Sequence, residues 1–268
     1  MGLTPKISIV LVTRNSKSVL YDCLKSLDTK DEITSSKNSQ WIIVDNGSSD
    51  GSIDEVIKLY PNIQIVKNQD NLGFAKAANQ GCKVSINEYI LYINTDTEIK
   101  QNSISKLYNA ITSDKSIAVV GPRLIRKNGT IQKSVYPEAT IYTEIFKPLI
   151  KLYVSLKENC YSVKNCYSVN SLRGACFIIN KKVMQSVGCF DERYFFYLEE
   201  TDLFRQLKLS GKKICYLPSS QVYHYGGLGC DDKMSFDKKK IYNESLVKYF
   251  RKNRNKFENF LISVLIKS

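Results

Sequence analysis

Several things are scarce or missing in this 268-residue sequence, and each absence narrows the reading. There is one histidine, and no two of the eight cysteines (Cys23, Cys82, Cys160, Cys166, Cys176, Cys189, Cys215 and Cys230) stand at the C-x2-C spacing of a zinc site. No secretory signal pattern is visible, so reduced thiols in a cytosolic protein are expected, mostly as packing groups. No apolar run approaches the ~20 residues that span a bilayer. Ile7 to Val12 has the length of a strand, and Phe260 to Ile266 is equally short. What is present fits a soluble α/β protein: 43% apolar and 24% charged residues, in a chain long enough to bury a sizeable core.

Charge is unevenly placed. The net charge is +13, yet the first hundred residues are nearly balanced, while Lys238, Lys239, Lys240, Lys248, Arg251, Lys252, Arg254 and Lys256 crowd the last 31 residues. A basic tail behind a neutral half reads as targeting to an anionic membrane surface, with a plain solvated helix as the alternative, and not as a nucleic-acid domain. Phe257, Phe260, Leu261, Val264 and Leu265 would insert shallowly beside those charges.

The first 125 residues alternate apolar runs with helical patterns. Strands are predicted at Ile7–Val12, Trp41–Val44, Ile63–Val66, Tyr89–Ile93 and Ile117–Val120, separated by helices. Continuous apolar strands at this interval imply βαβ units in one doubly wound, mostly parallel sheet, with ligands at the strands' carboxyl ends. After Pro122 the rhythm breaks. Residues 136–170 carry a tandem hexad from Asn159 to Asn170 and read as a tolerant loop, and the strand pattern resumes at Ala175–Ile179. A helix near 199–210, short strands at Ile214–Leu217 and Gln221–Tyr225, and a basic helix from Met234 to Phe257 follow. One catalytic unit is predicted over 1–232, with a nucleotide-binding half (1–125) and an acceptor half (126–232), then a basic amphipathic tail (233–268).

Five places carry chemistry. Asp45 ends a strand within Val44-Asp45-Asn46-Gly47-Ser48-Ser49-Asp50-Gly51-Ser52, where it would face the base or ribose of a nucleotide, or merely complete a βα turn. Asn71, Gly73 and Asn79 belong to a small-faced helix start that allows a ligand, preferably an anion, to approach closely. Asp96 follows an apolar strand in Asn94-Thr95-Asp96-Thr97-Glu98 and presents the hard oxygen that Mg2+ or Mn2+ requires beside substrate phosphates. Glu199, Glu200 and Asp202 follow the aromatic run Tyr194 to Tyr197, so like charge and apolar walls would both raise a carboxyl towards a useful base. His224 precedes two glycines and reads as structural, or as a metal or diphosphate contact.

Taken in order, Ile-Val-Leu-Val-Thr-Arg-Asn, Val-Asp-Asn-Gly-Ser-Ser-Asp-Gly-Ser, Asn-Leu-Gly-Phe-Ala, Asn-Thr-Asp, Arg-Gly-Ala, Glu-Glu-x-Asp-Leu and Val-x-His-x-Gly-Gly resemble family 2 glycosyltransferases. The similarity runs from residue 7 to about 228 and is nearest to the rhamnosyltransferase-like branch of surface polysaccharide assembly. It implies a GT-A fold and an inverting single displacement from a dTDP-, UDP- or GDP-linked sugar to a glycan or lipid-linked acceptor. The setting it implies is the cytoplasm, or the inner face of the plasma membrane. Asp45 would then contact the nucleobase, with Thr13 and Asn15 in the same pocket and Arg173 on the donor. Asp96 would be the metal ligand of an Asp-x-Asp element in which Asn94 replaces the first acid and Thr95 stands where proline is common. Glu199-Glu200 would hold the base, with Glu200 in the second acidic position. Two other classes remain: a sugar-phosphate nucleotidyltransferase, although Thr13-Arg14-Asn15-Ser16 lacks the expected glycine-rich loop, and a non-catalytic nucleotide-sugar-binding module.

Overall fold

The computed structural model describes residues 7–35, 37–163, 165–226 and 238–267. In the first half, β1 (Ile7–Thr13), α1 (Lys17–Lys30), β2 (Gln40–Asn46), α2 (Ser52–Leu59), β3 (Gln64–Asn68), α3 (Phe74–Val84) and β4 (Tyr89–Ile93) alternate as the apolar runs predict. Then come β5 (Thr97–Ile99), α4 (Ser103–Ser113), β6 (Ile117–Ile125), β7 (Ile131–Gln132), β8 (Val135–Tyr136), α5 (Ile141–Ile145) and α6 (Lys147–Cys160). The chain continues through β9 (Tyr167–Ser168), β10 (Ser171–Leu172), β11 (Cys176–Asn180), α7 (Lys181–Ser186), α8 (Glu199–Leu209) and β12 (Lys213–His224). Among the described residues, α9 (Lys238–Asn253) and α10 (Lys256–Lys267) follow.

The sheet runs β3-β2-β1-β4-β11-β6-β12-β5, with β7 beside β6 and β9 beside β12. Strands β3, β2, β1 and β4 are parallel, as are β6 and β12, but β11 lies antiparallel between β4 and β6. Side chains alternate faces along each strand. Ile9, Leu11, Trp41, Ile43, Leu91 and Ile93 therefore join Leu20, Leu24, Leu27 and Leu107 on one side. Val10, Ile42, Val44, Ile90 and Tyr92 pack with Ala75, Ala78, Phe204 and Leu207 on the other. Cys23, Cys82, Cys176 and Cys215 are buried thiols within these cores, whereas Cys160 and Cys166 are exposed. Cys230 lies outside the described residues.

Some expectations change. The small face of α3 packs on the sheet and does not receive a ligand: Ala75, Ala77 and Ala78 are wholly buried, and a Cβ on Gly81 would stand 2.4 Å from Val10 Cγ1. Residues 136–170 form no plain loop but contain the capped helix α5 and the four-turn α6. The two copies of the hexad differ in conformation, the first finishing α6 and the second supplying β9. The two short strands expected between 214 and 225 are one strand, β12, whose register shifts between Leu217 and Gln221. The single basic helix expected from 234 to 257 is two helices, α9 and α10, with residues 234–237 outside the described part. Finally, α9 packs as core and is no detached tail: Leu246, Tyr249 and Phe250 are buried with Tyr194, Leu198, Ala139 and Ile141. Leu261 and Ile266 are packed against this cluster, so Leu261 is not available for membrane insertion.

Candidate active site

A cavity of about 370 Å3 opens at the carboxyl ends of β1 and β4, where an open α/β sheet binds ligands. The antiparallel insertion of β11 builds its far wall. Asn94 donates its N–H to the Ala175 carbonyl at 2.9 Å, which sets Arg173-Gly174-Ala175 beside Asn94-Thr95-Asp96. Arg173 is held in turn: its Nε donates to the Lys133 carbonyl at 3.0 Å, and its Nη2 donates to the Tyr136 hydroxyl. On the β1 side the lining is Thr13 and Arg14, and on the α3 side it is Asn46, Asn71 and Gly73. Asn46 donates to Asn71 Oδ1 at 2.9 Å, and the Gly73 N–H donates to the same oxygen at 3.0 Å, which fixes the turn that enters α3.

At the end of β4, Asp96 and His224 meet although 128 positions separate them in sequence. Strand β12 returns antiparallel to β5 with His224 opposite Thr97, and His224 Nε2 comes to 3.4 Å from Asp96 Oδ1. Both side chains are buried. His224 Nδ1 lies 2.7 Å from Gln132 Oε1, so the ring is held from its far side with Nε2 directed at the carboxylate. A carboxylate oxygen and an imidazole nitrogen 3.4 Å apart are both groups that can bind a divalent cation. Metal–ligand bonds of about 2.0–2.2 Å span that gap. The pair thus fits a divalent ion that takes few protein ligands and completes its shell with phosphate oxygens. No group of three or more His, Cys, Asp or Glu side chains placed to hold a metal ion occurs among the described residues.

The two glutamates that open α8 line the same cavity. Acidic residues in a first turn complement the helix dipole, and Glu199, Glu200 and Asp202 all lie there. Glu199 is buried, and desolvation first, then the neighbouring Glu200, holds its carboxyl well above the ordinary range. Glu200 is raised by desolvation too, but Arg173 and nearby backbone N–H groups favour its charged form. Oε2 of each has no hydrogen-bond partner among the described residues. Buried carboxyl oxygens left without a partner in a cavity wall are free to hydrogen-bond a substrate. Asp202 serves the fold instead, accepting from Lys252 Nζ at 2.6 Å and from Asn253 Nδ2 at 2.7 Å, which ties α8 to α9.

An aromatic strap, Phe195-Phe196-Tyr197, closes the remaining side. Tyr197 and Leu198 both have positive φ, an unusual backbone for non-glycine residues that the surroundings must hold in place. The Phe74 N–H donates to the Phe195 carbonyl at 2.8 Å, and Ser245 of α9 donates to the Phe196 carbonyl at 2.8 Å.

Of the predicted site residues, Thr13, Asn71, Gly73, Asn94, Thr95, Asp96, Arg173, Glu199, Glu200 and His224 line this cavity. Thr95 turns its hydroxyl to Ser16 Oγ at 3.1 Å. Asn15, Asp45 and Asn79 do not line it. Asp45 accepts from the Ser48 N–H at 2.9 Å, and Asn15 accepts from the Ser49 N–H at 2.8 Å, so both stitch the loops after β1 and β2. Asn79 is spent on structure, bonding the Phe190 backbone through both amide atoms and donating to Glu192. Sequence reasoning missed Arg14, Asn46 and Gln132. Gln132 carried no signal, since only the β6–β7 hairpin brings it to His224.

Comparison with known proteins fits this geometry. The profile described as Glycosyl transferase family 2 matches residues 8–173. An N-acetylglucosaminyl-diphospho-decaprenol L-rhamnosyltransferase of Mycobacterium tuberculosis is 26% identical over 245 residues, covering 83% of this chain and 77% of the relative. A poly(ribitol-phosphate) beta-glucosyltransferase of Bacillus spizizenii is 30% identical over 138 residues, which are 50% of this chain and 21% of that protein. Among solved structures, GalNAc-T7 with UDP, GalNAc and Mn2+ superposes with a TM-score of 0.63 at 17% identity, over 82% of this chain and 44% of that one. S. aureus TarS gives 0.61 at 16%, over 98% and 43%, so the chain spans less than half of either structure. The fold is of GT-A type, and the family match sets aside the nucleotidyltransferase and non-catalytic readings. The chain belongs to family 2 of the glycosyltransferases and is a rhamnosyltransferase-like enzyme of sugar transfer in glycan assembly.

Proposed function

We propose that the enzyme moves a hexose, rhamnose being one candidate, from a dTDP-, UDP- or GDP-linked donor to a hydroxyl of a lipid-linked glycan, with inversion and with Mg2+ or Mn2+. The observation that carries this reading is the presence of two unlike groups in one cavity: the Asp96–His224 pair and the Glu199–Glu200 pair. The first suits a diphosphate with its cation, and the second suits a hydroxyl that must lose a proton. The lipid-linked acceptor is suggested by the mycobacterial relative, whose name specifies a diphospho-decaprenol substrate. A lipid-linked acceptor would bring the enzyme to the cytoplasmic face of the membrane as a peripheral protein; no helix among the described residues is long and apolar enough to cross a membrane.

In this reading Glu200 takes the acceptor proton at its unpartnered Oε2, because Arg173 supports its ionised form. Glu199, more deeply desolvated, stays protonated and holds the acceptor or sugar by a hydrogen bond. The acceptor oxygen attacks the anomeric carbon as the nucleoside diphosphate departs, one displacement with one base. Asp96 and His224 would hold the divalent ion, which when bound offsets the charge of the departing diphosphate. Arg173 and Arg14 add positive charge on the cavity wall, and the strap Phe195 to Tyr197 limits water.

The test is a screen of labelled nucleotide sugars for hydrolysis and transfer, with Mn2+ and with EDTA, followed by assignment of the product anomer. Full activity in EDTA would remove the metal from the mechanism, and retention of configuration would remove the single displacement.

A further inference from the structure

Helices α5, α6 and α10 carry an unusual share of exposed apolar side chains. Ten of the nineteen large hydrophobic residues exposed among the described ones lie on these three elements, and an eleventh, Phe146, joins α5 to α6. On α6 they form one stripe: Leu149 (65% exposed), Leu152 (59%), Tyr153 (60%) and Leu156 (58%) stand at i, i+3, i+4 and i+7. Tyr142, Ile145 and Phe146 extend the same spacing back through α5. Helix α10 packs against α5 through Ile262, Leu261 and Ile141, and it leaves Phe257, Phe260 and Val264 exposed. A contiguous apolar surface of this kind on a soluble domain marks an interaction site.

Charge selects the partner. The solvent-facing ionic groups of α5 and α6 are all cationic: Lys147, Lys151 and Lys157 are exposed. The two acids in this stretch turn inward. Glu158 is buried and accepts from the Ser134 and Val135 N–H groups, while Glu144 is largely covered by Lys147 and Tyr242. An apolar stripe flanked by lysines, with its acids withdrawn, complements an anionic bilayer, where leucine and phenylalanine insert and tyrosine sits at the headgroup level. The surface is tied to the cavity. Helix α6 packs on β8, Tyr136 of β8 holds Arg173, and Arg173 lines the cavity.

We propose that α5–α6, together with the exposed face of α10, is the surface that seats this enzyme on an anionic lipid bilayer. The contact presents the Arg173 side of the cavity to a lipid-linked acceptor. Its use rests on the lipid-linked reading above, but its test does not depend on transfer.

The experiment measures partition of the full chain onto phosphatidylcholine vesicles with and without phosphatidylglycerol, at low and high salt. The comparison is with a Leu149→Ser, Leu152→Ser, Leu156→Ser triple variant and a Lys151→Glu, Lys157→Glu double variant. These side chains are exposed, so thermal melting should match the wild type. The wild type should bind anionic vesicles and release from them in high salt. The triple variant should lose at least about tenfold in partition, the value of burying one leucine. The double variant should lose more than about fivefold per lysine, only at low salt. Donor hydrolysis without vesicles should be unchanged in both, which separates this proposal from the catalytic one. Equal partition of wild type and triple variant, or no vesicle binding by the wild type, would overturn it. So would a wild-type dimer that the triple variant converts to monomer, which would make the stripe a self-interface.

Discussion

Glu199 and Glu200 are neighbours in sequence whose environments push them apart. Burial and the adjacent charge raise the Glu199 carboxyl well above the ordinary range, whereas backbone N–H groups and Arg173 offset part of the same penalty at Glu200. Glu200→Gln should therefore lower turnover by about 10²- to 10⁴-fold, the usual loss of a general base, with donor affinity nearly unchanged. Glu199→Gln should be milder, and parallel measurements of transfer rate and donor binding decide between them. A larger loss in Glu199→Gln would reassign the base. The raised carboxyl also has a signature in stability. A folded-state pKa above the unfolded one means that the native state binds more protons over that window, so stability falls as pH rises through it. Glu199→Gln mimics the neutral form, and its gain in Tm over wild type should be larger at pH 8 than at pH 5; equal gains would mean that Glu199 is not held protonated. In the same cavity, Asp96→Ala should abolish transfer together with the metal-dependent part of donor binding, yet melt like the wild type in EDTA. Donor titrations with and without Mn2+ check this, and an Asp96→Ala enzyme that still responds to Mn2+ would contradict the assignment.

At the scale of elements, the turn into α3 is the most demanding contact in the cavity wall. Gly73 has φ 82° and ψ 168°, a region open essentially to glycine alone, and a Cβ there would stand 2.5 Å from the Phe195 carbonyl oxygen. Gly73→Ala should cost about 1–3 kcal/mol from backbone strain. It should also displace the strap, seen as a lower Tm together with a raised KM for donor. A lower Tm with unchanged KM would show that the strap does not shape the donor site. Glycine and asparagine at this turn were legible in the sequence because turn chemistry is local. So were β1, β2 and β4, because parallel strands covered on both faces are written as largely apolar runs. The position of β11 was not legible, since nothing in Cys176–Asn180 tells whether it joins an edge or inserts between β4 and β6. That insertion decides the neighbours of Asp96. The backbone at Tyr197 and Leu198 was equally hidden, because neither residue is of the type that favours positive φ. Helix α6 escaped notice because its buried face holds little more than Val154 and the acid Glu158, while its leucines point outward.

For the whole molecule, the question is whether the basic C-terminal region is an appendage or part of the catalytic unit. Its charge density suggested an appendage, since lysines dominate the composition and conceal a few apolar residues at helical spacing. Leu246, Tyr249 and Phe250 are buried against Tyr194 and Leu198, the two ends of the segment that carries the strap. Lys252 bridges Asp191 and Asp202 at 2.9 and 2.6 Å, and Arg254 donates to Glu138 and to the Ala139 carbonyl. Removing the region from 233 onward would thus strip the support from the wall that holds Glu199 and Glu200, and a vesicle-binding defect in such a truncation would have two causes. Single substitutions separate them. Phe250 is fully buried on α9, and Phe250→Ala should cost about 3–5 kcal/mol through the cavity it leaves. Phe260 is 64% exposed on α10, and Phe260→Ala should leave stability within about 0.5 kcal/mol of wild type. Because Ser245 of the same helix holds the Phe196 carbonyl, Phe250→Ala should also lower transfer to a water-soluble acceptor, whereas Phe260→Ala should retain it. Denaturant melts and solution transfer rates for the two variants provide the check. If Phe250→Ala is as stable and as active as Phe260→Ala, α9 is not part of the folded core, and the support assigned to it fails.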